Sequence, residues 1–314
     1  MMKSAFRGEQ AKAVLSQWFD RFRHRLKVPT ESRTVKTRVG DTHVLVGGPE
    51  GAPSLVLLHG ALASSAHVLS ELAPLLERFR VYAVDIVGQS VKSADARPSV
   101  SNNEYGEWLT DVLDGLSLER THVVGVSWGG FVAIRLAAYA PERIQRLALL
   151  VPAGVVNGSH WDGFTKVGLP MMLYRMSPSK RRLEAFVRHL LTTTDDDWVP
   201  YLGDALRSFN MDMRVPALAK PEELARLKAP TLVLGADLDV SFPGQRLLAR
   251  APELFSTLAD TELIKDCRHC PPTTDAFRHW LSERISGFLL ASGASHQQGP
   301  ERMRQQPGHG GKHQ

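Results

Sequence analysis

The chain has 314 residues, 43% of them hydrophobic, with a formal net charge of +5 and two cysteines. That is enough for one large α/β domain with a sizeable core, and no apolar run approaches the ~18 residues that a membrane-spanning helix needs. The basic excess sits at the ends. Residues 1–30 carry seven Lys/Arg against Glu9 and Asp20, and residues 292–314 carry Arg302, Arg304 and Lys312 against Glu301, so the body between them is slightly acidic. A nucleic-acid groove would need a basic stripe on that body, so no nucleic-acid partner is expected. Met1 to Glu9 lacks the apolar stretch and small-residue cleavage site of a secretory signal. Two cysteines make no disulfide framework, and together these features lead to the expectation of a cytoplasmic protein.

In chain order, Val14, Trp18, Phe22 and Leu26 fall four apart, with Arg21, Arg23, Arg25 and Lys27 on the other face. Residues 1–30 are therefore expected to form an amphipathic helix docked on the body, with contact to a membrane surface or a partner as the lesser alternative. Thr34–Val39 and Thr42–Val46 read as two strands around a Gly40-Asp41 turn. The near-continuous apolar run Ser54–Leu58 suits a strand buried on both faces. A helix over Ser65–Arg78, a strand over Arg80–Val84 and a helix through Tyr105, Trp108, Leu109, Val112 and Leu116 follow. A strand through Thr121–Val124, an alanine-rich helix and a strand at Leu147–Val151 continue the alternation. Such alternation implies a mostly parallel, doubly wound sheet, with residues 31–154 and 228–291 as its core.

The alternation stops near residue 154. Residues 155–227 hold no strand-like run and read as an inserted helical cap carrying Met171, Met172, Met176, Met211 and Met213. Methionines in a cap serve either as core filler or as an adaptable pocket lining. Leu62, Met171 and Met172 are the candidates for the lining. Strand character returns at Thr231–Leu234 and again near Glu262–Ile264, before a closing helix over Thr274–Leu290. The tail from Ser292 is polar and expected to be disordered, with His309 and His313 at most weak metal ligands.

The chemistry is concentrated at Gly125-Val126-Ser127-Trp128-Gly129-Gly130, between a buried strand and a helix. A serine flanked by glycines at such a junction marks a nucleophile elbow, whose tight turn exposes the hydroxyl at the sheet edge. Ser127 then needs a base, a carboxylate and oxyanion donors. His59-Gly60-Ala61 follows a buried strand, so the Ala61 N–H can face a developing oxyanion, with the Trp128 N–H as the second donor. His59 itself is read as a loop residue bonded to backbone. His269 lies in a loop between the last strand and the last helix, where an imidazole can relay the serine proton. His122 sits at the wrong end of its strand, and His43, His67, His160, His189 and His279 lack the loop position. Past Leu234, Asp237 and Asp239 are the two candidate acids, and the order Ser, Asp, His matches elbow enzymes.

Together with Asp85-Ile86-Val87-Gly88-Gln89-Ser90, Pro141-Glu142-Arg143 and Pro230–Gly235, these residues resemble the α/β-hydrolase fold family, specifically its bacterial carboxylesterase-like members, over residues 34 to 290. The resemblance implies an eight-stranded, mostly parallel sheet with a helical cap. It also implies a carboxylate about three residues beyond Gly235, and the apolar and proline spacing after it (Val240, Phe242, Pro243) favours Asp239. Two positions depart from the family pattern: Arg268 replaces the usual glycine before the histidine, and Trp128 is bulkier than the usual residue and is expected to occupy part of the acyl pocket. Cys267 and Cys270 flank His269, but no fourth ligand for zinc is evident. The expected activity is hydrolysis of small-molecule esters of small to medium apolar acids through an acyl-enzyme on Ser127, His269 and Asp239, without metal or organic cofactor. Hydrolysis of C–C or amide bonds and acyl transfer would use the same triad, and a non-catalytic ligand-binding protein of the same fold is the contrasting class.

Overall fold

Strand β3 (Ser54–Leu58) shows how the sheet is built: Leu55 and Leu57 enter one core and Val56 and Leu58 the other, because side chains alternate along a strand. A computed structural model describes residues 4–195 and 197–291 of the chain, so the tail with His309 and His313 lies outside the described residues. The remaining strands are β1 (Thr30–Thr37), β2 (Gly40–Gly47), β4 (Arg80–Val84), β5 (Thr121–Val126), β6 (Ile144–Leu150), β7 (Thr231–Ala236) and β8 (Leu258–Ile264). They form one eight-stranded sheet in the order β1-β2-β4-β3-β5-β6-β7-β8. The pairs β1/β2 and β2/β4 are antiparallel and the rest parallel.

Helices cover both faces. Helices α1 (Glu9–His24), α2 (Ser65–Glu71) and α11 (Asp275–Leu289) pack on one, and α3 (Glu104–Gly115), α4 (Trp128–Tyr139) and α10 (Gly244–Leu254) on the other. Between β6 and β7 come α5 (His160–Asp162), α6 (Leu169–Met176), α7 (Lys180–Val187), α8 (Trp198–Ser208) and α9 (Pro221–Leu224). No helix among the described residues is long and apolar enough to cross a membrane. Helix α1 buries Leu15, Phe19 and Phe22, and it packs on α2 and α8. Its apolar face is therefore used within the fold and not offered to a lipid surface.

The expected first strand, Thr34–Val39, runs instead over Thr30–Thr37, and two of the boundaries that move have a clear local cause. The first hairpin turns at Arg38-Val39, with Thr37 paired to Gly40, two residues before the expected Gly40-Asp41 turn. Gly40 opens β2 at φ 115°, so the glycine serves the residue after the turn. The expected helix over Ser65–Arg78 breaks at Leu72, because Pro74 cannot donate to the preceding turn, and continues as the 3₁₀ segment Ala73–Glu77. For function, the decisive feature is the run of parallel strands. Since β3, β5, β7 and β8 point the same way, the loops after them meet at one sheet edge.

Candidate active site

Ser127 sits between β5 and α4 at φ 52° and ψ −112°, a strained conformation for a residue with a side chain. Surrounding backbone holds it there: the Ser127 N–H donates to the Leu150 carbonyl at 2.9 Å, and the Ser127 carbonyl accepts from Gly130 at 2.9 Å and Ala153 at 3.0 Å. The neighbours must be glycine because the turn is so tight. A Cβ on Gly125 would lie 2.6 Å from the Gly129 carbonyl oxygen, and one on Gly129 would lie 2.3 Å from that of Leu58.

The serine Oγ is 2.9 Å from His269 Nε2, and His269 Nδ1 is 2.8 Å from Asp239 Oδ2. A carboxylate can only accept, so Nδ1 carries the proton and Nε2 is free to accept from the hydroxyl. Asp239 is 3% exposed, and its other oxygen accepts the N–H groups of Ser241 at 2.7 Å and Phe242 at 3.1 Å. Burial would raise Asp239, but the charge and hydrogen bond of His269 and these two amides outweigh it and hold it below the usual carboxylate range. Burial likewise opposes charge on His269, yet the facing Asp239 leaves it raised above the ordinary 6.5.

Asp237, the alternative acid, is bonded elsewhere. Its carboxylate accepts from the N–H groups of Asp266 at 3.1 Å and Cys267 at 3.0 Å, so it ties down the loop that delivers His269. The departure at Arg268 is absorbed in the same loop, where the left-handed residue is Asp266 (φ 52°) rather than Arg268. Thr192, which comes from the segment after α7, completes the hold. Its hydroxyl accepts from the Arg268 N–H at 2.9 Å and donates to the Cys270 carbonyl at 2.7 Å.

Beside Ser127, the backbone of Gly60 comes so close that a Cβ there would lie 3.4 Å from the serine Cβ. The Ala61 N–H has no hydrogen-bond acceptor among the described residues. Trp128 is the first residue of α4, where an N–H has no carbonyl one turn back. His59 is fully buried and bonded only to backbone, with Nε2 accepting from Ile86 at 2.9 Å and Nδ1 donating to the Gly60 carbonyl at 2.7 Å. Burial, only partly offset by Asp85, lowers its pKa and keeps it neutral.

A cavity of about 380 Å³ opens on Ser127 and His269. Leu62, Met171 and Trp128 line it, but Met172 does not: it is 46% exposed, because the next residue on a helix points about 100° away. Of the other cap methionines, Met211 reaches the cavity, while Met176 and Met213 are exposed. The sequence reading missed His67, Trp198 and Tyr201, which also line it. Their aromatic spacing on α2 and α8 carries no sign that the two helices meet. Cys270 borders the cavity, whereas Cys267 is buried with its thiol pushed up to about 12 by that burial. Among the described residues, no group of three or more His, Cys, Asp or Glu is arranged to hold a metal ion.

Residues 53–211 match the family model for the alpha/beta hydrolase fold, and the chain belongs to that family. It is 31% identical over 278 residues to the uncharacterized carboxylesterase nap of Bacillus subtilis (strain 168), covering 84% of this chain and 88% of that protein. The crystal structure of naproxen esterase (carboxylesterase NP) from Bacillus subtilis superimposes with a TM-score of 0.76 at 26% identity, over 90% of this chain and 99% of that one. A 2-hydroxy-6-oxononadienedioate/2-hydroxy-6-oxononatrienedioate hydrolase of Cupriavidus pinatubonensis (strain JMP 134 / LMG 1197) is 29% identical over 263 residues, covering 76% of this chain and 89% of that protein. Within its family the chain is a carboxylesterase-like hydrolase.

Proposed function

We infer that the protein hydrolyses small-molecule esters of apolar carboxylic acids through an acyl-enzyme on Ser127. The observation that carries this reading is the hydrogen-bonded chain from Ser127 through His269 to Asp239 at the mouth of an apolar cavity. Ser127 Oγ attacks the ester carbonyl while its proton passes to His269 Nε2, and Asp239 stabilises the resulting imidazolium. The carbonyl oxygen becomes an oxyanion stabilised by the N–H groups of Ala61 and Trp128. As the tetrahedral intermediate collapses, the C–O bond to the alcohol breaks and His269 returns the proton to the leaving oxygen. Water then repeats the sequence on the acyl-enzyme, releasing the acid and restoring the serine.

A second reading, hydrolysis of a C–C bond, draws on the relative from Cupriavidus pinatubonensis. Amide hydrolysis and acyl transfer to an alcohol would employ the same groups. Initial rates on a chain-length series of chromogenic alkanoate esters, on matched anilides, on a vinylogous 1,5-diketone and on esters with added alcohol acceptor separate these activities. Ester turnover with free acid as product supports the reading. Turnover of the diketone alone, or of the anilides alone, overturns it.

A further inference from the structure

His67, on α2, is 1% exposed, and neither of its ring nitrogens has a hydrogen-bond partner among the described residues. Phe22 of α1 stacks on the ring with centroids 4.2 Å apart and planes at 12°. Trp198 and Tyr201 of α8 close around it at 4.1 and 4.8 Å. His67 is nonetheless among the residues that line the same cavity as Ser127. An imidazole held by three aromatic rings adds nothing to packing that a phenyl ring would not supply, and burying its nitrogens unpaired is costly.

The neighbouring charges narrow what can bind. Glu71, one helical turn on, also borders the cavity, but its carboxylate is taken by Arg278 Nε and Nη2, each at 3.0 Å, and by the Trp198 indole N–H at 3.1 Å. The third nitrogen of that guanidinium is bonded to Asp275 at 3.2 Å. The ion pair is self-neutralised and offers no free charge to a ligand. Burial, with His59, Arg25 and Arg278 nearby, keeps His67 well below its ordinary pKa and therefore neutral. A neutral imidazole has one N–H and one bare nitrogen, which suits a group that can both donate and accept.

We propose that His67 forms a polar subsite in the cavity wall that binds an uncharged hydroxyl on the acyl part of the substrate, away from the scissile carbonyl. The preferred substrates are then esters of hydroxy-substituted apolar acids. This rests on the reading of Ser127 as the nucleophile of an esterase. An apolar cavity without such a subsite disfavours a hydroxyl at every chain length. With it, the penalty reverses at the length that brings the hydroxyl to His67.

The test compares kcat/KM for a chain-length series of p-nitrophenyl alkanoates with the same series bearing a terminal hydroxyl. The wild type is expected to favour the hydroxy ester about tenfold at one chain length, as one net hydrogen bond allows. His67→Phe, which retains the stack on Phe22, is expected to lose that preference. A wild type that favours the plain ester at every length overturns the proposal, as does a His67→Phe enzyme with the wild-type ratio. Binding to Ser127→Ala reads the subsite without turnover and without altering His67. Greater thermal stabilisation by a long-chain alkanediol than by the alkanol of equal length supports the proposal, and equal or smaller stabilisation overturns it. If the wild type cleaves neither series, it is the esterase reading that fails, and this binding arm still decides the subsite.

Discussion

The hydroxyl of Tyr201, on α8, donates to the carbonyl of Leu62, the residue after Ala61. Tyr201 is 4% exposed, and burial pushes its phenol up, so it stays protonated and able to donate. Leu62 holds a left-handed φ of 58°, a conformation that a leucine keeps only when its surroundings impose it. One hydrogen bond thus joins the inserted helices to the loop proposed to stabilise the oxyanion.

Tyr201→Phe removes that bond while keeping the ring. A donor displaced from its oxyanion costs part of the ~10²–10³ that losing the donor costs. We expect kcat on a chromogenic ester to fall between about tenfold and a hundredfold, with a smaller change in KM. A variant with wild-type kcat would show that the oxyanion loop holds its shape without α8.

The pH profile follows from the His269–Asp239 pair. In the proposed mechanism His269 must be neutral to accept the serine proton, and Asp239 raises its pKa above 6.5 against the opposing effect of burial. We therefore expect activity to be present above that raised value and lost as pH falls through it, with the acid limb of kcat/KM above 6.5. Asp239→Asn removes the charge that raises His269 and leaves the burial that lowers it. The limb then moves to lower pH, and kcat falls about ten-thousandfold. Steady-state kinetics across pH for both proteins check the two effects together.

The two aspartates separate by what they hold. Asp237→Ala frees the N–H groups of Asp266 and Cys267 but leaves the Asp239–His269 bond in place. We expect a loss of about 1–3 kcal/mol in stability by denaturant melting. The kinetic loss should be far smaller than that of Asp239→Asn. Equal kinetic losses would make Asp237 a partner in the chemistry.

What could be read from the sequence was local or ordered along the chain. The elbow is six consecutive residues: Gly125 is required by contacts within that same turn and Gly129 by the backbone of the adjacent strand β3, so a short motif carries most of its own geometry. Asp239 and His269 follow strands that end at one sheet edge, and the alternation of apolar runs already implied such an edge. The phase of a cap helix was not readable: Met171 and Met172 are equally apolar, and only the packed position of α6 turns one inward and the other out. The meeting of His67 with Tyr201 was not readable for a different reason. Their rings lie 4.8 Å apart, but they come from α2 and α8, and no spacing in the chain encodes that meeting.

The central claim is that Ser127 is an activated nucleophile, and covalent labelling with a fluorophosphonate tests it most directly. Intact-mass analysis of folded wild type should show one added phosphonyl group, mapped to the peptide containing Ser127. Folded Ser127→Ala should remain unmodified under the same conditions. An unlabelled wild type, or equal labelling of the alanine variant, would contradict the account.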